Sequence, residues 1–275
     1  MLTNDFLLCL NAFLYGLGGL LALGLVGWLI SLKKNDVSIV DSLWSVMFLA
    51  AAGIYLAATG FLGTTSLVVV LMVAVWALRL SAYITWRNWG EAEDRRYQEI
   101  RARNQPGFHV KSLYLVFWLQ AGLAWVISLP LLVTILSNAP FDLIGYLGIT
   151  VWLAGMFFET VGDWQLARFK ADPSNQGKVL DSGLWRYTRH PNYFGNALIW
   201  WGFFLLALSA GGWWTIVSPL LMTFLLLKVS VVVLLEKDIS TRRPEYRAYI
   251  ERTNAFFPGP PHKPSVAPNT RGIEI

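Results

Sequence analysis

The segment 182–192, SGLWRYTRHPN, brings Arg186, Arg189, His190 and Asn192 together just ahead of an uncharged run that begins at Tyr193. Guanidinium forks, an imidazole and a carboxamide are groups that grip anions or move protons. Pro191 suits the first turn of a helix, whose leading N–H groups are free, so the corner forms a natural anion seat. Asp181, Ser182 and Gly183 ahead of it read as a turn. Polar chemistry is thus set at the mouth of an apolar helix, the pattern of a membrane enzyme.

Four further charges interrupt apolar runs: Asp41, Arg79, Glu159 and Lys228. Each would cost roughly 2.5–3.5 kcal/mol at a helix centre, so each needs a partner or a wet cavity. Lys228 can snorkel, and Asp41 with Arg79 can form a structural pair, but Arg79 is too deep to snorkel easily and is a functional candidate. Glu159 and Asp163, spaced i,i+4, share one helix face that Lys170 continues, giving either a polar stripe leaving the membrane or a solvated helix end. The segment 86–97, WRNWGEAEDRRY, interleaves Arg87, Arg95 and Arg96 with aromatics and carboxylates. It suits a polyanion carrying a flat ring, or an amphipathic interfacial helix. A third cluster, 236–249, holds Glu236, Tyr246 and Tyr249, with Phe256 and Phe257 beyond, and either lies on the membrane surface or closes over a cofactor.

Other patterns exclude chemistry. Gly16, Gly18 and Gly19 lie inside the first apolar run with no strand before them, which points to close helix packing rather than nucleotide binding. Cys9 is the sole cysteine, and His109, His190 and His262 are far apart in sequence, so no intrachain disulfide is possible and no zinc or haem ligand set is visible.

Long helices must position these residues. With 55% hydrophobic and 14% charged residues, the 275-residue chain carries more apolar surface than one soluble core can hide. Seven apolar stretches, 6–32, 37–59, 64–86, 112–136, 143–161, 193–208 and 213–235, are each about the ~20 residues that cross a bilayer as an internally bonded helix. The expected fold is all-α and polytopic. Of the 22 Lys and Arg, 20 fall in 33–34, 87–111, 168–189 and 237–271, and the alternate loops have none. The positive-inside rule then puts the N-terminus outside and the C-terminus in the cytoplasm. The cations border helices rather than forming one basic domain, so the net charge of +5 favours anionic lipid headgroups and phosphorylated cofactors over nucleic acid. The N-terminus lacks the basic region and cleavage site of a signal peptide. No internal repeat is visible and no obligate protein partner is evident. Residues 1–258 read as one membrane domain, with 259–275 a proline-rich flexible tail.

At 188–195, TRHPNYFG, followed by Glu236, Tyr246, Tyr249 and the Phe256-Phe257-Pro258 end, the chain resembles a membrane superfamily of steroid 5-alpha-reductases, sterol C14 reductases and isoprenylcysteine carboxyl methyltransferases. It looks most like the bacterial steroid 5-alpha-reductases. The resemblance implies a cofactor-binding aspartate at Asp163, basic residues at Lys170 and Lys178, the Asn-aromatic-Gly step at Asn192, and a third-helix arginine at Arg79. NADPH, a polyanion, suits the Arg/Lys-rich loops better than S-adenosylmethionine, which has no phosphate and carries a positive sulfonium.

What the resemblance implies is therefore a seven-helix reductase of the bacterial inner membrane, with NADPH at the cytoplasmic end and an enone lipid, most closely a 3-oxo-Δ4 steroid, entering from the membrane. Arg79, Arg87, Arg95, Arg96, Lys170, Lys178 and Arg189 would hold phosphates, and Asp163 and Asn192 ribose or carboxamide, with His190, Tyr193, Glu236 and Tyr246 completing the cofactor site. Trp44 and Trp76 would line the substrate slot. Animal relatives hold the substrate carbonyl with a second-helix Glu and a third-helix Tyr, where this chain has Asp41 or Ser42 and Trp76. The proton-donor role then passes to Asp41 or Tyr83. Two other functions fit the same residues: a methyltransferase using S-adenosylmethionine, and a non-catalytic lipid-binding or transport protein.

Overall fold

In the computed structural model, the described residues are 2–60, 63–137, 139–230 and 244–262, and all are helix, turn or irregular chain with no strand among them. In chain order the helices are α1 (Leu2–Lys34), α2 (Ile39–Thr59), α3 (Thr64–Arg87), α4 (Arg95–Arg103), α5 (Phe108–Ser112), α6 (Leu119–Ile127), α7 (Leu129–Ser137), α8 (Leu143–Ala171), α9 (Pro191–Ser209), α10 (Val217–Phe224) and α11 (Pro244–Arg252). Two π-helical turns, Leu113–Trp118 and Leu225–Ser230, join α5 to α6 and extend α10. Five segments are long and apolar enough to cross a membrane: Phe6–Lys34, Ile39–Ala58, Thr64–Arg87, Phe108–Ile127 and Leu143–Ala171. The chain is therefore an integral membrane protein by length and composition of its helices.

The other two expected spans correspond to α9 and to the run from Trp213, whose last residues, 231–235, lie outside the described set. The stretch 112–136, expected as one helix, breaks at Ser128. Pro130 has no N–H to donate inside a helix but is tolerated in the first turn of a new one, so α7 restarts at Leu129. Of the expected tail 259–275, residues 263–275 lie outside the described set.

The chain partitions into two compact units, Met1–Trp152 with Trp200–Leu221, and Leu153–Ile199 with Met222–Ile275. In the first unit Phe48, Tyr55, Trp76, Phe117, Trp200 and Phe203 form the closed centre. Phe48 stands 4.5 Å from the Trp200 ring and 5.6 Å from Trp76. Two polar pairs lie inside it: Tyr55 Oη is 2.7 Å from Ser128 Oγ, and Ser45 Oγ donates to the Ala77 carbonyl at 2.9 Å. Of the α1 glycines expected to allow close packing, Gly16 and Gly19 do so, whereas Gly18 faces open space. A Cβ on Gly16 would meet the Tyr55 ring at 2.7 Å, and one on Gly19 would meet Ile54 at 2.3 Å.

In the second unit the N-terminal part of α9 lies antiparallel against α8 across a glycine seam. A Cβ on Gly155 would stand 2.7 Å from the Gly195 carbonyl, and one on Gly195 only 2.3 Å from the Glu159 backbone nitrogen. Small residues let two membrane helices approach until their backbones touch. Gly195→Ala should therefore force the helices apart, costing roughly 1–3 kcal/mol and several degrees of Tm in detergent. Gly122→Ala, where a Cβ meets nothing within 4 Å, is the control and should leave the Tm unchanged or slightly raised. Equal Tm values for the two variants would refute the seam.

Candidate functional site

The approach of α8 and α9 brings two carboxylates on one helix opposite two carboxamides on the other. Asn196 Nδ2 donates to Glu159 Oε1 at 2.8 Å, and one turn away Asn192 Nδ2 donates to Asp163 Oδ1 at 3.0 Å. Both pairs are spaced i,i+4 on their own helix, so the antiparallel packing closes them as two rungs of one ladder. Glu159 is 2% exposed, Asp163 5% and Asn196 6%. Asn192 Oδ1 accepts the Tyr193 N–H at 3.1 Å, whereas Asn196 Oδ1 is buried and accepts from no donor among the described residues. An acceptor in that state is costly unless a ligand or water supplies the donor. Asp163, Asn192 and the stripe with Glu159 are legible in the sequence. Asn196 was missed, although its i,i+4 spacing from Asn192 mirrors that of Glu159 and Asp163.

The corner ahead of α9 is clasped by the C-terminal strap. Arg189 Nη1 donates to the carbonyls of Thr253 (2.6 Å) and Ile250 (3.2 Å), and its backbone N–H to that of Asn254 (2.9 Å). Its guanidinium thus satisfies carbonyls that the end of α11 leaves open, which makes Arg189 a structural clamp before anything else. Thr188 Oγ1 donates to the Phe256 carbonyl at 2.8 Å, and the Tyr249 hydroxyl to that of Trp185. Burial, then the neighbouring Tyr246, pushes the Tyr249 phenol above its ordinary pKa, so it stays a donor. His190 is buried with its ring 5.8 Å from that of Tyr193. Tyr246 is half-buried against Tyr249, and Lys170 and Lys178 are exposed. Glu236 lies outside the described residues.

In the first unit the charges form a different device. Asp41 Oδ2 accepts from Arg96 Nη2 at 2.7 Å, and Oδ1 from the Tyr97 hydroxyl at 2.6 Å. Gln120 Nε2 backs Tyr97 at 3.2 Å, and Arg96 Nε also bonds Asp94 at 2.9 Å. The partner of Asp41 is therefore Arg96, not Arg79, and the network buckles α4 to α2. A second buckle joins Arg101 Nη2 to Glu93 at 2.7 Å, while Glu93 also accepts the Val37 N–H at 2.9 Å. The segment 86–97 had suggested a polyanion pocket, but two of its three carboxylates and one of its three arginines are spent on these anchors. Arg87 and Arg95 are exposed. Tyr83 is half-buried, 6.1 Å from the Trp86 ring and 5.9 Å from the Arg87 guanidinium. Arg79 is half-buried in α3. Trp44 and Trp76 do come together, both against Phe48.

A cleft of about 400 Å³ opens in this unit among Lys34, Asp36, Asn88, Glu91 and Glu93. It carries more carboxylates than cations, a lining unsuited to phosphates, and none of the expected cofactor residues faces it.

A family model described as "protein of unknown function (DUF1295)" matches residues 27–253, a stretch that contains the ladder, both buckles and Arg189. The chain belongs to that family. Similarity extends to the uncharacterized protein C594.04c of Schizosaccharomyces pombe, 25% identical over 285 aligned positions that cover 92% of this chain and 82% of that protein. No solved structure matches the chain.

The Glu93 buckle yields a pH test. Burial alone would raise the Glu93 pKa, but hydrogen bonds from Arg101 and from the Val37 N–H outweigh it and hold the carboxyl below its ordinary 4.5. A carboxyl so depressed stabilises the fold above its unfolded pKa and loses that contribution as pH falls through the folded value. Glu93→Gln should therefore lower the Tm at pH 7 by the equivalent of about 1 kcal/mol. The gap from wild type should close as the pH drops below 4.5, and a gap constant with pH would contradict the assignment.

Proposed function

We propose that this protein is an NADPH-dependent membrane reductase that saturates the conjugated C=C of an enone lipid, with a 3-oxo-Δ4 steroid as the nearest substrate type. The reading includes seven spans in a bacterial inner membrane, an outer N-terminus and a cytoplasmic cofactor end. The observation that carries it is the Glu159–Asn196 and Asp163–Asn192 ladder, with its buried Asn196 Oδ1 awaiting a donor. A nicotinamide carboxamide offers that N–H, and a ribose offers hydroxyls to the Asp163 carboxylate. The resemblance of 188–195 and its downstream residues to membrane sterol reductases points the same way.

When bound, the reduced nicotinamide would supply the hydride. The chain would contribute the seat: Asp163, Asn192 and Asn196 would fix the ring end, His190 and Tyr193 would close beside them, and Lys170 at the charged end of α8, with Lys178 beyond it, would meet phosphate. Arg189 shapes this seat through the strap rather than by gripping phosphate. In the other unit, parts for Arg79, Arg87 and Arg95 rest on the sequence reading, as do Trp44 and Trp76 for the substrate. Of the two proton-donor candidates, Asp41 accepts hydrogen bonds on both oxygens, and Tyr83 carries a phenol that can donate one. A phenol donating to the enone oxygen would stabilise the charge that develops there.

Thermal shift on the purified protein separates this from the alternatives. NADPH at 100 times its Kd should stabilise the fold by about 2.7 kcal/mol. Asn196→Ala and Asp163→Ala should each weaken that binding by roughly tenfold or more, the scale of one lost buried hydrogen bond to a charged or orphaned partner. Stabilisation by S-adenosylmethionine and not by NADPH would replace the reductase with a methyltransferase. NADPH binding without turnover on any enone lipid would leave a binding or transport protein.

A further inference from the structure

A second cleft, about 420 Å³, lies wholly in the second unit beside the strap, lined by Asp181, Ser182, Arg186, Arg252 and Thr253 among others. None of these belongs to the ladder. Arg252 and Asp181 form an ion pair within it, so their charges cancel. Arg186 is exposed and has no ion pair among the described residues. The lining therefore carries a net charge of one cation, with the hydroxyl-bearing Ser182 and Thr253 beside it, a donor set for a singly charged oxyanion.

The depth of this cleft is fixed by hydrogen bonds. Trp185 Nε1 donates to the Gly162 carbonyl at 3.1 Å, and the Leu184 N–H to Gln165 Oε1 at 3.0 Å. Both pin the short turn Gly183–Arg186 level with residues 162–165 of α8 rather than with its end at Ala171. Gly183 makes the turn possible, with φ at +59° and the Gln165 side chain too close to admit a Cβ. At this level α8 changes from apolar to charged. Trp164 is exposed with the Arg168 guanidinium 5.6 Å from its ring, and Tyr187 is exposed next to Arg186. An exposed tryptophan beside the first cation of a spanning helix marks the headgroup layer. A cleft at that depth is within reach of lipid phosphodiesters.

We infer that the Arg186–Ser182–Thr253 cleft holds the phosphate of an anionic phospholipid headgroup. The site would bind lipid whether or not the ladder binds a dinucleotide, and it would anchor the turn and strap that shape the corner before α9.

Native mass spectrometry of the full chain in detergent, titrated with phosphatidylglycerol, tests this, with phosphatidylcholine and inorganic phosphate as comparisons. Wild type should retain phosphatidylglycerol in preference to phosphatidylcholine. Arg186→Glu should weaken that retention by roughly five- to tenfold, the worth of one surface arginine against an anionic headgroup, while Arg186→Lys should stay within about twofold of wild type. Equal retention of the two lipids by wild type, unchanged retention by Arg186→Glu, or release of the lipid by millimolar inorganic phosphate would each overturn the assignment. The first and third readouts use the unaltered protein and so do not depend on how a variant folds.

Discussion

Two carboxylates, Glu159 and Asp163, are buried in a helix that crosses a membrane, and neither can stay there without a donor. The donors come from Asn196 and Asn192 on the antiparallel helix, and they reach only because Gly155 and Gly195 let the two backbones touch. Each carboxamide nitrogen serves a carboxylate, and on Asn196 the carboxamide oxygen is presented onward. The ladder therefore holds a buried acceptor, Asn196 Oδ1, at the contact of α8 and α9. An amide N–H is the kind of donor such an acceptor takes.

The arginines divide by what surrounds them. Arg96 and Arg101 are consumed by Asp41, Asp94 and Glu93 in buckling α4, and Arg189 by the carbonyls at the end of α11. Guanidinium suits these tasks because its fork can meet several acceptors at once and never loses its charge. Lys170, Lys178 and Arg186 are exposed, the last in the cleft beside the strap. A basic loop in this protein is thus partly scaffold.

The apolar runs, the helical class and the i,i+4 stripe of Glu159 and Asp163 were legible in the sequence because they follow from periodicity and the cost of burying charge. The break at Ser128 was not anticipated, although Pro130, which has no N–H to donate, is the residue that explains α7 restarting at Leu129. The partner of Asp41 was not legible: Arg96 lies 55 residues away, and choosing it over Arg79 requires knowing how α4 folds back. The clamp role of Arg189 was hidden for the same reason, since its acceptors are backbone carbonyls that any sequence would supply. Asn196 was readable and was missed, because an asparagine in an apolar run draws less attention than a charge.

The central claim is that the buried Asn196 oxygen is the seat of a nicotinamide amide. A cryo-EM map of the protein in a lipid nanodisc with saturating NADPH tests it most directly. The account predicts dinucleotide density in the second unit, with its carboxamide within hydrogen-bond distance of Asn196 Oδ1 and a ribose against Asp163. Density for the dinucleotide elsewhere, with the Glu159–Asn196 rung contacting only protein or water, would contradict it.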